Sequence, residues 1–230
     1  MTSPRLLPAL ITSLLSASLG PTAAAQTPAG DANRFEAVVR AYEAADALSA
    51  PPRGAILLAG DSQFFRWKTL AEDLPEYTIV NRGVDSFRIA DLIHFADRLI
   101  VRHQPRLIVL HAGGNDVHGG KTPEQVLADF QALVVRLRAS LPGVPIAFSS
   151  LTPGPGRWDE AEQRRRTNAA VKNYVASQPG LLFIDLWDAM LTPDGQPRPD
   201  LWVEDRIHPN HAGYRLRVKI MRPLLGPPDR

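Results

Sequence analysis

Five short apolar runs, each separated from the next by a stretch of helical periodicity, restrict this chain more than any other feature. The runs span residues 55–59, 77–81, 106–111, 144–149 and 181–185. Runs this short with little polar alternation suit strands buried on both faces, as in a parallel sheet. Helical patterns lie between them at 63–74, 89–103, 122–141 and 158–177, and a last one at 210–225 closes the chain. The third is the best marked: Thr122 can cap it with Gln125 reaching back, Pro123 suits its first turn and Gly143 follows its end. Parallel neighbours need crossovers, and helical crossovers cover both faces of the sheet. The expected class is therefore α/β, with a five-stranded parallel sheet in the flavodoxin-like order 2-1-3-4-5. In that order strands one and three are neighbours, and ligands bind at the switch point between them, outside the carboxyl ends of the strands.

The 230 residues suit one domain with a substantial core, preceded by extra elements. Residues 1–25 have the pattern of a signal peptide: Arg5, a mostly apolar stretch to Leu19, then Ala23-Ala24-Ala25. That stretch is too short and too polar to span a bilayer stably. The expected location is exported, periplasmic or secreted. Residues 26–54 form a linker and an added N-terminal helix over 31–48, and 55–230 form the main domain. The chain has no cysteine, which excludes disulfides, a thiol nucleophile, thiolate metal sites and a lipoprotein anchor. With a net charge of +2 and no basic stripe interleaved with aromatics, nucleic acid is not an expected partner. Arg164-Arg165-Arg166 follows Asp159, Glu160 and Glu162 and reads as a solvated helix face. The absence of a sustained heptad favours a monomer with no stable membrane anchor.

Four motifs follow the predicted strands. Gly60-Asp61-Ser62 comes after the first, and a serine on a strand-to-helix turn can present its hydroxyl to the crevice and its N–H to a developing oxyanion. Standing alone, this tripeptide would be only a helix cap. Gly83, placed after strand two, offers a second backbone donor, and as a bare turn glycine it would mean little. Asn115, in Gly113-Gly114-Asn115-Asp116, offers a side-chain amide as the third, with Asp116 able to hold the turn. In Asp205-Arg206-Ile207-His208, the spacing lets the carboxylate orient the imidazole, while Pro209 keeps the pair on a loop. The competing reading is a zinc site from His111, His118 and His208, although no paired histidine spacing of the metalloprotease kind is present.

In these motifs and their order, residues 55–225 resemble the SGNH hydrolases, also called GDSL esterases. The resemblance implies a three-layer α/β/α sandwich, no cofactor, and hydrolysis of esters or thioesters through an acyl-enzyme. It carries the nucleophile to Ser62, the oxyanion donors to Ser62, Gly83 and Asn115, and the base and its orienter to His208 and Asp205. Gln63 stands where the motif expects leucine. With no long apolar insertion to serve as a lid, the expected substrate is a small soluble acyl ester, acetylated sugars included. The rival readings are a non-catalytic glycan-binding domain of the cell envelope on the same fold, and an acyltransferase. Trp67, Trp158, Trp187 and Trp202 are candidates for lining a pocket, each weighed against an ordinary place in the core.

Overall fold

The computed structural model describes residues 32–229, together with Met1. The proposed signal peptide, 1–25, lies outside the described residues. A 3₁₀ turn, Ala32–Phe35, leads into α1 (Glu36–Leu48). The chain then runs β1 (Ile56–Gly60), α2 (Ser62–Phe65), α3 (Leu70–Asp73), β2 (Ile79–Gly83), α4 (Ile89–His94), α5 (Ala96–Leu99) and β3 (Leu107–His111). It continues with α6 (Gly114–His118), α7 (Pro123–Ser140), β4 (Ile146–Ser149), α8 (Ala161–Ala176), β5 (Leu181–Ile184) and α9 (His211–Met221). All four strand pairings are parallel, and the order is β2-β1-β3-β4-β5, as the alternation predicts.

Alternate side chains of each strand feed two separate cores, which makes three layers. Leu57, Ala59, Ile108, Leu110, Ile146 and Phe148 join the core under α1, α4, α5, α7 and α8. Ile56, Leu58, Leu107, Val109 and Ala147 join the core on the opposite face, with Leu70, Tyr214, Val218 and Met221. At about 25 cal/mol per Å² of apolar surface, burying both faces of five strands is the main driving force for this arrangement. Among the described residues no helix is long and apolar enough to cross a membrane.

Three predicted helices are shorter or broken. The 63–74 pattern is two short helices, because Thr69 Oγ1 and Trp67 Nε1 both donate to Asp73 Oδ2 (2.6 and 2.7 Å) and close the second helix on its own cap. The 89–103 pattern splits into α4, α5 and a 3₁₀ turn, Val101–His103. The 158–177 pattern begins as a 3₁₀ run, Pro155–Glu160, and becomes α-helical only at Ala161.

The added helix α1 seals the flank of β2. Phe35 meets Phe87 edge-on at 4.6 Å, Val39 is fully buried, and Tyr42 Oη donates to Gly83 O at 2.6 Å. Asp46 forms a buried ion pair with Arg82, and His103 Nε2 lies 3.6 Å from the same carboxylate. Burial, reinforced by the Arg82 charge, pushes the His103 imidazole down to about 4, against the pull of Asp46. The unfolded chain thus binds a proton that the folded chain resists. His103 contributes stability above its ordinary 6.5, and that contribution is lost as the pH falls from there toward about 4. The expected result is that wild type loses Tm relative to His103→Gln across this acid window, while their difference is flat above neutrality; calorimetric scans over pH check it.

Candidate active site

The carboxyl ends of β1, β2 and β3 come together, and the loops that leave them form one crevice. Asp61 caps α2 by accepting from Gln63 N–H (3.0 Å), and Asp61 N–H donates to His111 O (3.0 Å), which ties the turn to β3. Burial pushes the Asp61 carboxyl up to about 7, against the Gln63 N–H and the charges of Arg217 and Arg164. These contacts make Asp61 a brace. Ser62, the first residue of α2, has its N–H at a helix start and its hydroxyl beside the imidazole of His208.

Ser62 Oγ lies 2.8 Å from His208 Nε2, and His208 Nδ1 lies 2.6 Å from Asp205 Oδ2. Asp205 Oδ1 accepts from Ile207 N–H and His208 N–H, both at 2.9 Å. Burial raises the Asp205 carboxyl, but these backbone donors and the imidazole outweigh it and hold the group at about 2. An ionised Asp205 can only accept, so Nδ1 carries the imidazole proton and Nε2 is free to take one from Ser62. Arg66 sits behind this relay, 3.3 Å from Asp205 Oδ2 and 3.2 Å from Asp85 Oδ2. The turn is tight enough to put Arg206 at φ 60°, in the left-handed region.

Across the crevice, Gly113 takes φ 105° and starts α6, a conformation glycine adopts without steric penalty. Asn115 Nδ2 donates to Phe87 O (2.9 Å), and its second N–H remains available. Asp116 does not close its own turn. Its buried carboxylate accepts from Ile89 N–H (3.1 Å) and Lys121 Nζ (2.9 Å), which fastens the loop after β2 to the loop after β3.

Gly83 requires correction. It lies inside β2, paired with Gly60, rather than after the strand, and its N–H is committed to Asn81 Oδ1 at 2.9 Å. A Cβ at this position would lie 2.3 Å from Phe65 N, so the glycine is there to let α2 pack on the strand. The loop beyond it carries another candidate. Asp85 is tied through Arg66 to Asp205, and Phe87 O is tied to Asn115, so Ser86 stands between the two halves of the crevice. Ser86 is exposed and holds φ 66°, an uncommon conformation for a residue with a Cβ. Sequence reasoning missed it because the signal is a backbone angle, with no glycine to mark it.

The remaining candidates fall elsewhere. His111 is buried, 3.3 Å from Ser149 Oγ, and burial holds its imidazole well below the ordinary range. His118 Nδ1 lies 2.6 Å from Glu160 Oε1. The three histidines of the zinc reading thus sit in three separate contacts, and among the described residues no three His, Asp or Glu side chains converge as ligands. Arg164 is not on a solvated face: it is buried, held by Glu160 at 2.7 Å, and donates to Gly114 O at 3.3 Å. Arg166 is exposed, beside Glu124. Gln63, the departure from the motif, has its own work. Its amide accepts from the buried Arg217 (3.0 Å) and donates to Ile207 O (3.0 Å), linking the Ser62 turn to the His208 loop. Leucine could do neither.

Solved structures share this architecture. A protein of Streptococcus pneumonia superposes with a TM-score of 0.74 at 21% identity, covering 84% of this chain and 93% of the other. A GDSL-like lipase from Bacteroides thetaiotaomicron gives 0.71 at 17% identity, with 81% and 96% covered. An acetyl-xylooligosaccharide esterase from Geobacillus Stearmophilus gives 0.61 at 18% identity, with 76% and 96% covered. At these identities the likeness is one of fold. No curated protein sequence matches the chain. The family model of the GDSL-like lipases and acylhydrolases matches residues 53–216, most of the sequence. With the sheet order and these neighbours, that match makes the chain a member of the GDSL-like lipase/acylhydrolase family, a hydrolase on the α/β/α fold.

Proposed function

We propose that this protein is a serine esterase that hydrolyses small soluble acyl esters through an acyl-enzyme on Ser62. The observation that carries the reading is the unbroken relay from Ser62 Oγ to His208 Nε2 and from His208 Nδ1 to Asp205. In the first half-reaction His208 takes the Ser62 proton as Oγ attacks the acyl carbon, and the imidazolium then protonates the departing alcohol oxygen. Water enters, gives its proton to His208, and releases the acid from Ser62. Asp205 holds the imidazole in the productive tautomer and stabilises its charged form. We assign the oxyanion to Ser62 N–H, Ser86 N–H and the second N–H of Asn115 Nδ2, replacing Gly83. Loss of one such donor typically costs about 10²- to 10³-fold in rate.

Two facts support a small acyl group. A fold neighbour is an acetyl-xylooligosaccharide esterase, and Arg66, Asp85 and Asp205 form a charged cluster beside the relay. We take the activity to lie outside the cytoplasm, a reading that the signal-peptide pattern of residues 1–25 supports. We take the substrate to be a small molecule and the protein to act as a monomer. Hydrolysis of a series of p-nitrophenyl esters of rising acyl length tests the proposal. The expected result is a maximum between acetyl and butyryl; turnover that rises toward long acyl chains would overturn the small-acyl assignment, and no turnover of any ester would overturn the esterase reading.

A further inference from the structure

The loop that carries His208 also helps to line a pocket that contains none of the relay residues. This pocket, of about 440 Å³, is lined by Trp158, Trp202, Pro197 and Pro199 together with Gln196 and Arg206. Its volume falls in the range of small-molecule sites. It is continuous with the catalytic loop: Val203 N–H donates to His208 O (2.9 Å), Gly156 N–H donates to Arg206 O (2.8 Å), and Trp202 bridges Pro209. The walls are held in place. Trp202 is buried, with Nε1 donating to Arg198 O (2.7 Å), and the 191–197 segment is closed by the Leu191–Pro197 bridge and by Thr192 N–H on Gln196 O (2.8 Å). Trp158 is only half-buried, on the 3₁₀ run that leads into α8.

We infer that this pocket is a sugar subsite, which seats a pyranose ring of the alcohol portion of the ester. A pyranose has C–H groups on its faces and hydroxyls around its rim. Flat indole and proline walls suit the faces, while the Gln196 amide and the Arg206 guanidinium suit the rim, one offering a donor and an acceptor and the other donors only. An acyl-chain pocket would need neither polar group. Arg206, between Asp205 and His208 and with a left-handed backbone, is one of the residues that line the pocket. The side of the scissile bond also follows from the chemistry. His208 must return its proton to the leaving oxygen, so the alcohol portion lies on the His208 side, and Trp202, Val203 and Arg206 of this pocket belong to the loop that carries His208. In that step the Ser62 Oγ–acyl bond forms, the acyl–oxygen bond to the sugar breaks, and the proton that left Ser62 ends on the sugar hydroxyl.

This inference rests on the esterase reading for its kinetic test but not for its binding test. The first measurement is the selectivity of wild type and Trp158→Ala for an acetylated xylo-oligosaccharide over p-nitrophenyl acetate, as a ratio of kcat/KM values. Loss of a stacking wall is expected to lower that ratio by about ten- to a hundredfold, the usual effect of one pocket contact, with Trp158→Tyr retaining most of it. An unchanged ratio in Trp158→Ala overturns the subsite. If wild type turns over neither ester, the esterase reading fails, and the subsite is judged by tryptophan fluorescence on titration with unacetylated xylo-oligosaccharide. A saturable change that weakens in Trp158→Ala and Gln196→Ala supports it, and no change in wild type overturns it.

Discussion

Replacing Ser62 with alanine is expected to lower kcat on p-nitrophenyl acetate by about 10⁴- to 10⁶-fold, the range seen when the nucleophile of a serine relay is removed. The size follows from what the substitution removes. Without Oγ there is no acyl-enzyme, and His208 is left with no hydroxyl to deprotonate; the remaining donors can polarise a carbonyl but not attack it. The effect should lie almost wholly in kcat, because Ser62 fills little of the crevice and its N–H survives the change. Stability should be nearly unaffected, since α2 is capped by Asp61 and packed through Phe64, neither of which depends on the hydroxyl. Steady-state kinetics beside labelling by a fluorophosphonate checks both halves. Loss of labelling together with loss of turnover fits a covalent nucleophile. Turnover within about tenfold of wild type would mean that water is activated directly by His208 and that Ser62 only fills space.

Much of this site was legible because its parts are side chains at the ends of strongly patterned strands. The apolar runs placed Ser62 and Asn115, fifty-three positions apart, just after neighbouring strands, and the Asp205–His208 spacing announced a turn. What sequence could not supply was register and backbone angle. β2 begins and ends two residues later than its apolar pattern suggests, because Asn81 is a strand residue whose side chain bonds Phe64 O and Gly83 N–H. That shift moves Gly83 into the sheet and hands its proposed part to Ser86, whose only mark is its φ. The Arg164 error has a similar origin. Three consecutive arginines on a helix point in three directions, and charge alone does not say which of them turns inward. Arg217 is the extreme case: a fully buried guanidinium at 5.5 to 6.0 Å from the Phe64, Trp67 and Tyr214 rings, with Gln63 as its hydrogen-bond acceptor. A lone arginine in a helix containing several basic residues gives no sign of this. Gln63 was visible as a departure from the motif, yet its purpose required the two partners that only folding brings to it.

Replacing Asp205 with asparagine is expected to lower kcat by about 10³- to 10⁴-fold, less than Ser62→Ala and far more than an exposed carboxylate would warrant on its own. Asp205 accepts on both oxygens: Oδ1 from two backbone N–H groups and Oδ2 from the imidazole. An amide has only one oxygen. If it keeps the backbone pair, its NH₂ faces Nδ1, which must then accept, so the proton moves to Nε2 and His208 can no longer take one from Ser62. If the amide turns over, the imidazole keeps its tautomer but the Asp205–His208 turn loses its two backbone bonds. The first arrangement retains more hydrogen bonds and should dominate, which is why the loss falls on kcat and not on the fold. The loss of the Arg66 contact adds little, because both partners are more than a third exposed. The carboxyl is held at about 2, so it stays ionised across the working pH range. The double variant separates a relay from two independent contributions: residues acting as one unit are grossly non-additive, so Ser62→Ala with Asp205→Asn should be no slower than Ser62→Ala alone. A further drop in the double variant, or a single-variant loss below about tenfold, would place Asp205 outside the relay and make it a turn residue only.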